Sequence, residues 1–227
     1  MSEAAALEGA DLADLTLDEL RVRLAPALAD AAVFDGWSAE AVRYAAEGEG
    51  IDPDVARLAF AGGKMDMVEA WVDSVDAAML AAFTREQLAG LKVRDRIRLL
   101  VTFRLEQLEM REEALRRALA IMALPQNAAR ALQIGWRTAD RMWRLAGDTA
   151  TDYNHYTKRA ILASLYGATL AMFANDTSEG KGDTYAFLDR RLGDVMRFER
   201  AKAKVLGRER DGFSALRFLG RLRYPER

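Results

Sequence analysis

The chain has no cysteine and only one histidine, His155, in 227 residues. The first absence excludes disulfides, thiolate metal sites and a cysteine nucleophile. The second excludes a metal site that needs two imidazoles from one chain, so no metal is expected. Proline is scarce, with four residues, and no stretch sustains the period-two alternation of a half-buried strand. Together with abundant Ala, Leu, Arg and Glu, this predicts an all-α protein. Without strands there is no strand-borne glycine-rich loop to cradle phosphates, and no cofactor is expected. No apolar run reaches the roughly 20 residues of a membrane span. The N-terminal stretch MSEAAALEGADLADLTLDEL is acidic. It lacks the basic and apolar regions of a signal peptide and the arginines of a transit peptide, so a bacterial cytoplasmic location is expected.

The formal net charge of -2 hides an asymmetry. Residues 1–90 hold 18 acids against 6 bases, and residues 91–227 hold 17 acids against 27 bases. This predicts two halves that present opposite potentials to partners.

Helices are predicted from about Leu17 to Phe34, with Thr16 and Glu19 as a capping box, then from Ser38 toward Gly48. A third short helix, opened by Asp52-Pro53, runs to about Phe60. Helix, short helix, glycine turn and short helix is a helix-turn-helix pattern, placed at residues 1–62. A larger helical domain is expected over 63–206. Its first helix carries Val68, Trp71, Val72, Val75, Met79 and Phe83 on one side. The next runs from Val93 to Leu108, and after a break near Met110 a short helix reaches Leu124. Pro125 opens a long helical hairpin to Phe173 whose turn reads AGDTATDYNHYTKR. Trp136, Ala139, Trp143 and Ala146 form a seam on its first half. Gly147 ends that half, and Thr151 or Asp152 can cap the next. On the second half, Leu162, Leu165, Tyr166, Thr169 and Phe173 form a bulky stripe. Ala160, Ser164, Gly167 and Ala171 form a small-residue stripe nearly opposite, which lets another helix approach closely or leaves room for a long apolar ligand between helices, close packing being the favoured reading. A final segment, 207–227, gathers Phe213, Leu216, Phe218, Leu219 and Leu222 on one side, rimmed by Arg217, Arg221 and Arg223. From Arg200 onward there are 9 bases against 3 acids. Such a helix suits an anionic membrane surface.

The block RTADRMWRLAGDTATDYNHYTKRAILASLYGATL, followed by TYAFLDRR at Thr184 to Arg191, resembles the coenzyme Q nine family of ubiquinone biosynthesis. The residues that carry the likeness are Ala139-Asp140, Trp143, Ala146-Gly147-Asp148, Asp152, Asn154, Tyr156-Thr157 and Arg159. The resemblance implies a TetR-regulator-like fold with a helix-turn-helix-like bundle, a larger ligand-binding helical domain and a C-terminal amphipathic helix. It implies a non-catalytic accessory protein, peripheral on the inner membrane, that binds an isoprenoid quinone precursor or a phospholipid and presents it to the pathway's hydroxylase. The docking patch it implies is Asp140, Met142, Trp143, Asp152, Asn154, His155, Tyr156 and Arg159. Where relatives often have tryptophan between the asparagine and the tyrosine, this chain has His155. Candidates for the lipid lining are Trp71, Val75, Met79, Leu100, Met122, Trp136, Leu162, Leu165, Tyr166 and Phe173. Residues Phe213, Leu216, Arg217, Phe218, Leu219, Arg221 and Leu222 are the candidates for membrane contact. TetR-like folds also dimerise through their last long helices, so a homodimer would use residues near 155–200.

Two rival readings stand against this one. A TetR-type transcriptional regulator with an apolar ligand pocket would need a basic recognition helix. Here DPDVARLAF offers Arg57 alone beside Asp52 and Asp54, in a half of net charge -12, so DNA is disfavoured as a partner. Catalysis would rest on His155 with Asp152. Ser164 lies two turns beyond, too far for a triad without tertiary help.

Overall fold

The computed structural model describes residues 15–149 and 153–211. The described residues are helical, with no strand among them. The elements are α1 (Leu17–Asp35), α2 (Ala39–Gly48), α3 (Pro53–Ala59), α4 (Lys64–Ala82), α5 (Arg85–Leu88), α6 (Val93–Glu106), α7 (Glu112–Met122), α8 (Ala128–Leu145), α9 (Tyr153–Asn175) and α10 (Gly182–Asp211). Short 3-10 turns at Pro125–Asn127 and Glu179–Lys181 introduce α8 and α10.

The helix starts follow the capping chemistry. The Thr16 backbone donates to the Glu19 carboxylate at 2.8 Å, while the Glu19 backbone donates back to the Thr16 hydroxyl at 3.3 Å. Ser38 caps α2, and Asp52 caps α3 with Pro53 in its first turn. Gly36 ends α1 at φ +66°, a conformation that favours glycine. The short helix α5 was not anticipated. It starts on a second capping box, Thr84 with Gln87, and is anchored by the buried Leu88.

One compact unit extends through Leu188 and a second begins at Asp189. The boundary expected at residue 62 lies inside the first unit, because side chains cross it. Trp37 stacks obliquely on Trp71 with centroids 5.3 Å apart, and its indole N–H donates to the Ala114 carbonyl at 3.0 Å. Arg21 of α1 donates to the Ala59 carbonyl and faces Asp66 of α4. Leu24, Leu28, Val42 and Ile51 bury the three N-terminal helices against this junction. The boundary expected at 206 falls within α10.

Helices α4 and α8 run parallel and are joined by a ladder of opposite charges. Arg130 bonds Asp66 and Glu69, each at 2.6 Å. Arg137 bonds Glu69 at 2.8 Å and Asp73 at 3.2 Å. Arg141 bonds Asp73 at 2.7 Å and Asp76 at 2.5 Å. At the inner end Asp76 also pairs with Arg104 of α6 and accepts from the Thr138 hydroxyl at 3.1 Å. Asp76, Arg104 and Thr138 are each no more than 2% exposed. Burial alone would favour neutral Arg104, but Tyr166 and Asp76 outweigh it and hold the guanidinium above its ordinary pKa.

Removing one partner from such a buried pair leaves an uncompensated charge. Asp76→Ala should therefore lower the unfolding free energy by about 3–5 kcal/mol in urea titration. Adding Arg104→Met to it should recover a large part of that loss.

Candidate functional site

Two features lie along the α8–α9 hairpin: a corner at its turn and a cavity beneath its inner faces. The corner is set by backbone geometry. Gly147 takes φ +90°, its N–H donates to the Arg144 carbonyl at 3.1 Å, and the Asp148 N–H donates to the Trp143 carbonyl at 2.9 Å. This paired arrangement satisfies the last carbonyls of α8 and turns the chain. Arg96 of α6 clamps the turn from outside, donating to the carbonyls of Ala146 at 2.7 Å, Ala89 at 2.8 Å and Leu91 at 2.9 Å.

On the α9 side, Lys158 and Arg159 both bond Asp148, at 2.6 and 2.9 Å. Arg159 also bonds Asp140 at 2.7 Å, which in turn pairs with Arg144 at 2.7 Å. Burial pushes the Asp148 carboxyl up, but Lys158 and Arg159 outweigh it and hold it below the usual carboxylate range. The Trp143 indole donates to the Lys158 carbonyl at 3.0 Å, with the Lys158 ammonium 5.5 Å from its ring centroid. Trp136, His155 and Tyr156 form an aromatic group with centroids 5.1–6.4 Å apart. Arg85, Arg144, Asp148, Thr149, His155, Tyr156 and Arg159 line an open recess of about 390 Å³ here.

The sequence-derived patch is only partly a surface. Tyr156 is 61% exposed, and Asp140, Trp143 and His155 are half-buried. Met142 is fully buried and Arg159 is 2% exposed. These two were expected on the surface. They support it from beneath instead, Met142 by packing and Arg159 by neutralising two carboxylates. Asp152 and the Asn154 side chain lie outside the described residues, as do Phe213, Leu216, Arg217, Phe218, Leu219, Arg221 and Leu222.

The cavity has a volume of about 260 Å³ and lies among α4, α6, α7, α8 and α9. Val68, Trp71, Val72 and Val75 line it from α4, and Leu108, Leu115, Leu119 and Met122 from the turn after α6 and from α7. Ala131, Leu132, Ile134, Gly135, Ala163, Gly167 and Leu170 close it from the hairpin. Leu132 is 75% exposed, and Ser164 and Gly167 are exposed, so the mouth opens between α8 and α9. Arg104, Thr138 and Tyr166 are its buried polar lining.

Of the residues expected to line it, Trp71, Val75, Met122 and Tyr166 do so. Met79, Leu100, Leu162, Leu165 and Phe173 are buried elsewhere in the core, and half-buried Trp136 belongs to the aromatic group at the corner. The bulky α9 stripe is buried as expected. Among the described residues no helix packs against the small-residue stripe: Ala160, Ser164, Gly167 and Ala171 are all exposed, with Ser164 and Gly167 at the cavity mouth, the alternative to close packing. Arg104 was missed. Its signal was an arginine in step with the core positions Ile97, Leu100, Val101 and Leu108, which should have marked a buried charge.

Residues 128–199, which include both halves of the hairpin, match the model of the COQ9 family. Over this segment the chain is similar to the COQ9 family. It is 32% identical over 186 residues to the mitochondrial ubiquinone biosynthesis protein COQ9 of Rattus norvegicus, a match covering 79% of this chain and 59% of that protein. The Homo sapiens protein of the same name is 31% identical, with 79% and 58% covered. The chain thus spans under three fifths of the length of these relatives. Among solved structures it resembles the TetR transcriptional regulator from Nitrosomonas europaea, with TM-score 0.60 at 22% identity over 76% of this chain and 95% of that one. The chain therefore has a TetR-like, all-α fold.

The corner's ionic chemistry sets a pH test. Because the folded-state pKa of Asp148 is depressed, its contribution is complete above the unfolded value of about 3.9 and is lost as pH falls through the folded value. Asp148→Asn should cost about 2 kcal/mol of unfolding free energy near pH 7. The gap from the parent should close on acidification below about pH 4, as followed by helical ellipticity in urea.

Proposed function

We propose that this chain is a non-catalytic accessory protein of ubiquinone biosynthesis that holds an isoprenoid quinone precursor, or a phospholipid, in the cavity. The observation that carries this reading is an apolar cavity that opens between α8 and α9, the two helices of the segment that matches the COQ9 family, and is lined on its other sides by α4, α6 and α7. Close-packed interiors rarely leave room for more than a water molecule, whereas small-molecule sites are concave and mostly apolar, from about 300 Å³ upward, a range this cavity approaches. The names of the relatives supply the pathway.

The corner then serves as the docking surface for the pathway's hydroxylase. Exposed Tyr156 and half-buried Trp143 have the amphipathic character of interface anchors, surrounded by charges that fix orientation. The C-terminal segment, with its arginine-rimmed apolar face, would lie on the anionic inner membrane of a bacterium. Among the described residues no helix is long and apolar enough to cross a membrane, which fits peripheral attachment. Dimerisation through the α9 region would compete with docking at the corner. The regulator reading is disfavoured by α3, where Arg57 is already paired with Asp54 at 2.8 Å and so offers little to phosphate.

Organic extraction of the purified protein followed by mass spectrometry should reveal a co-purifying quinone or phospholipid. A protein that carries none and binds no added isoprenoid lipid would end the carrier reading. A Cβ at Gly167 would meet nothing within 4 Å, so Gly167→Leu should fold normally, fill the mouth and strip most of the bound lipid. Tyr156→Ala should weaken capture of the hydroxylase at least tenfold, by about 1.4 kcal/mol or more, without changing lipid content. Flotation with anionic liposomes checks the tail: Phe213→Ser with Phe218→Ser should abolish co-flotation.

A further inference from the structure

The buried polar lining of the cavity is arranged unequally. Thr138 gives its hydroxyl proton to Asp76 at 3.1 Å. Arg104 donates to Asp76 and, through Nε, to the Tyr166 hydroxyl oxygen at 3.0 Å. That oxygen is therefore an acceptor toward Arg104, and the Tyr166 O–H points elsewhere. Among the described residues no acceptor takes it. Tyr166 is 7% exposed and lines the cavity. A buried hydroxyl with an unused donor is unfavourable, and an acceptor from a ligand would remove that cost.

The charges around it are balanced. Arg104, Arg130, Arg137 and Arg141 face Asp66, Glu69, Asp73 and Asp76, four cations against four anions. An anionic head group would find no surplus positive charge and would lose its hydration. A neutral oxygen acceptor suits the site better. Leu132, Ser164 and Gly167 put the mouth at the exposed side of the hairpin, away from the buried hydroxyl.

We propose that the Tyr166 hydroxyl donates a hydrogen bond to a neutral acceptor oxygen, such as a quinone or ketone carbonyl, of a ligand that enters head first and leaves its apolar chain toward the α8–α9 mouth. This rests on the lipid-binding reading and adds orientation and head-group class to it. Arg104 is a positioning residue: by donating to the phenol oxygen it turns the phenol's own proton toward the ligand and strengthens it as a donor.

The test is calorimetric titration of the full chain with three matched probes: 2-prenyl-1,4-benzoquinone, prenylbenzene and 4-prenylbenzoate. The parent should bind the quinone about tenfold more tightly than prenylbenzene, and the benzoate no more tightly than prenylbenzene. Tyr166→Phe should bind quinone and prenylbenzene alike, with prenylbenzene affinity unchanged, which also reports an intact cavity. A quinone preference that survives in Tyr166→Phe, or tightest binding of the benzoate, overturns the proposal and leaves the lipid-binding reading standing. Failure of all three probes to bind the parent removes that reading, and this proposal with it. Infrared spectra of carbonyl-labelled quinone bound to the parent give a readout that needs no variant. One carbonyl stretch should move to lower frequency, and two unshifted carbonyls overturn the proposal.

Discussion

The alternation of Asp66, Glu69, Asp73 and Asp76 on α4 with Arg130, Arg137 and Arg141 on α8 fixes how these two helices lie together. Each arginine straddles two acids. Sliding α8 by one turn along α4 would leave charges at both ends of the ladder unpaired. Exposed pairs of this kind contribute little individually, but this series runs inward to Asp76 and Arg104, where unpaired charge is costly. Both features of the hairpin depend on that register. Thr138 meets Asp76, beside Arg104 and Tyr166, only when α8 is so placed, and the turn at Gly147 then falls beside Arg96. The ladder also begins next to Arg21 of α1, so the N-terminal helices are tied to the same frame.

The charge asymmetry of the chain takes on another meaning in this light. It suggested two halves showing opposite potentials outward. A good part of it is internal instead: acids of α4 meet bases of α8, Asp30 meets Arg111, and Glu49 meets Arg23 within the acidic half itself. Composition counts charges without saying which face they occupy. Helix limits were legible because caps and breakers act locally: Thr16, Ser38, Asp52, Gly36 and Gly147 each do what their chemistry prescribes. The exception, α5, carried its own capping box at Thr84 and Gln87 and was overlooked because it is only four residues long.

The cavity was less legible than the fold. Apolar periodicity marks the inward face of a helix, but a residue facing an empty volume and one facing a neighbour obey the same period. Hence Trp71, Val75, Met122 and Tyr166 line the space while Met79, Leu100, Leu162, Leu165 and Phe173 fill the core beside it. At the corner, type and spacing identified the group correctly as a cluster but not its layering. Arg159 reads in sequence as an exposed cation, and only the two carboxylates converging on it from α8 and the turn make its burial tolerable.

The glycines at the mouth have a consequence of their own. Cβ atoms at Gly135 and Gly167 would meet nothing within 4 Å, so the residues that set the size of the opening are not those that hold the helices together. Selection can therefore widen, narrow or reshape the entrance one substitution at a time without re-registering α4 and α8. Descendants of this fold can change the shape of the cavity's opening while inheriting the scaffold intact.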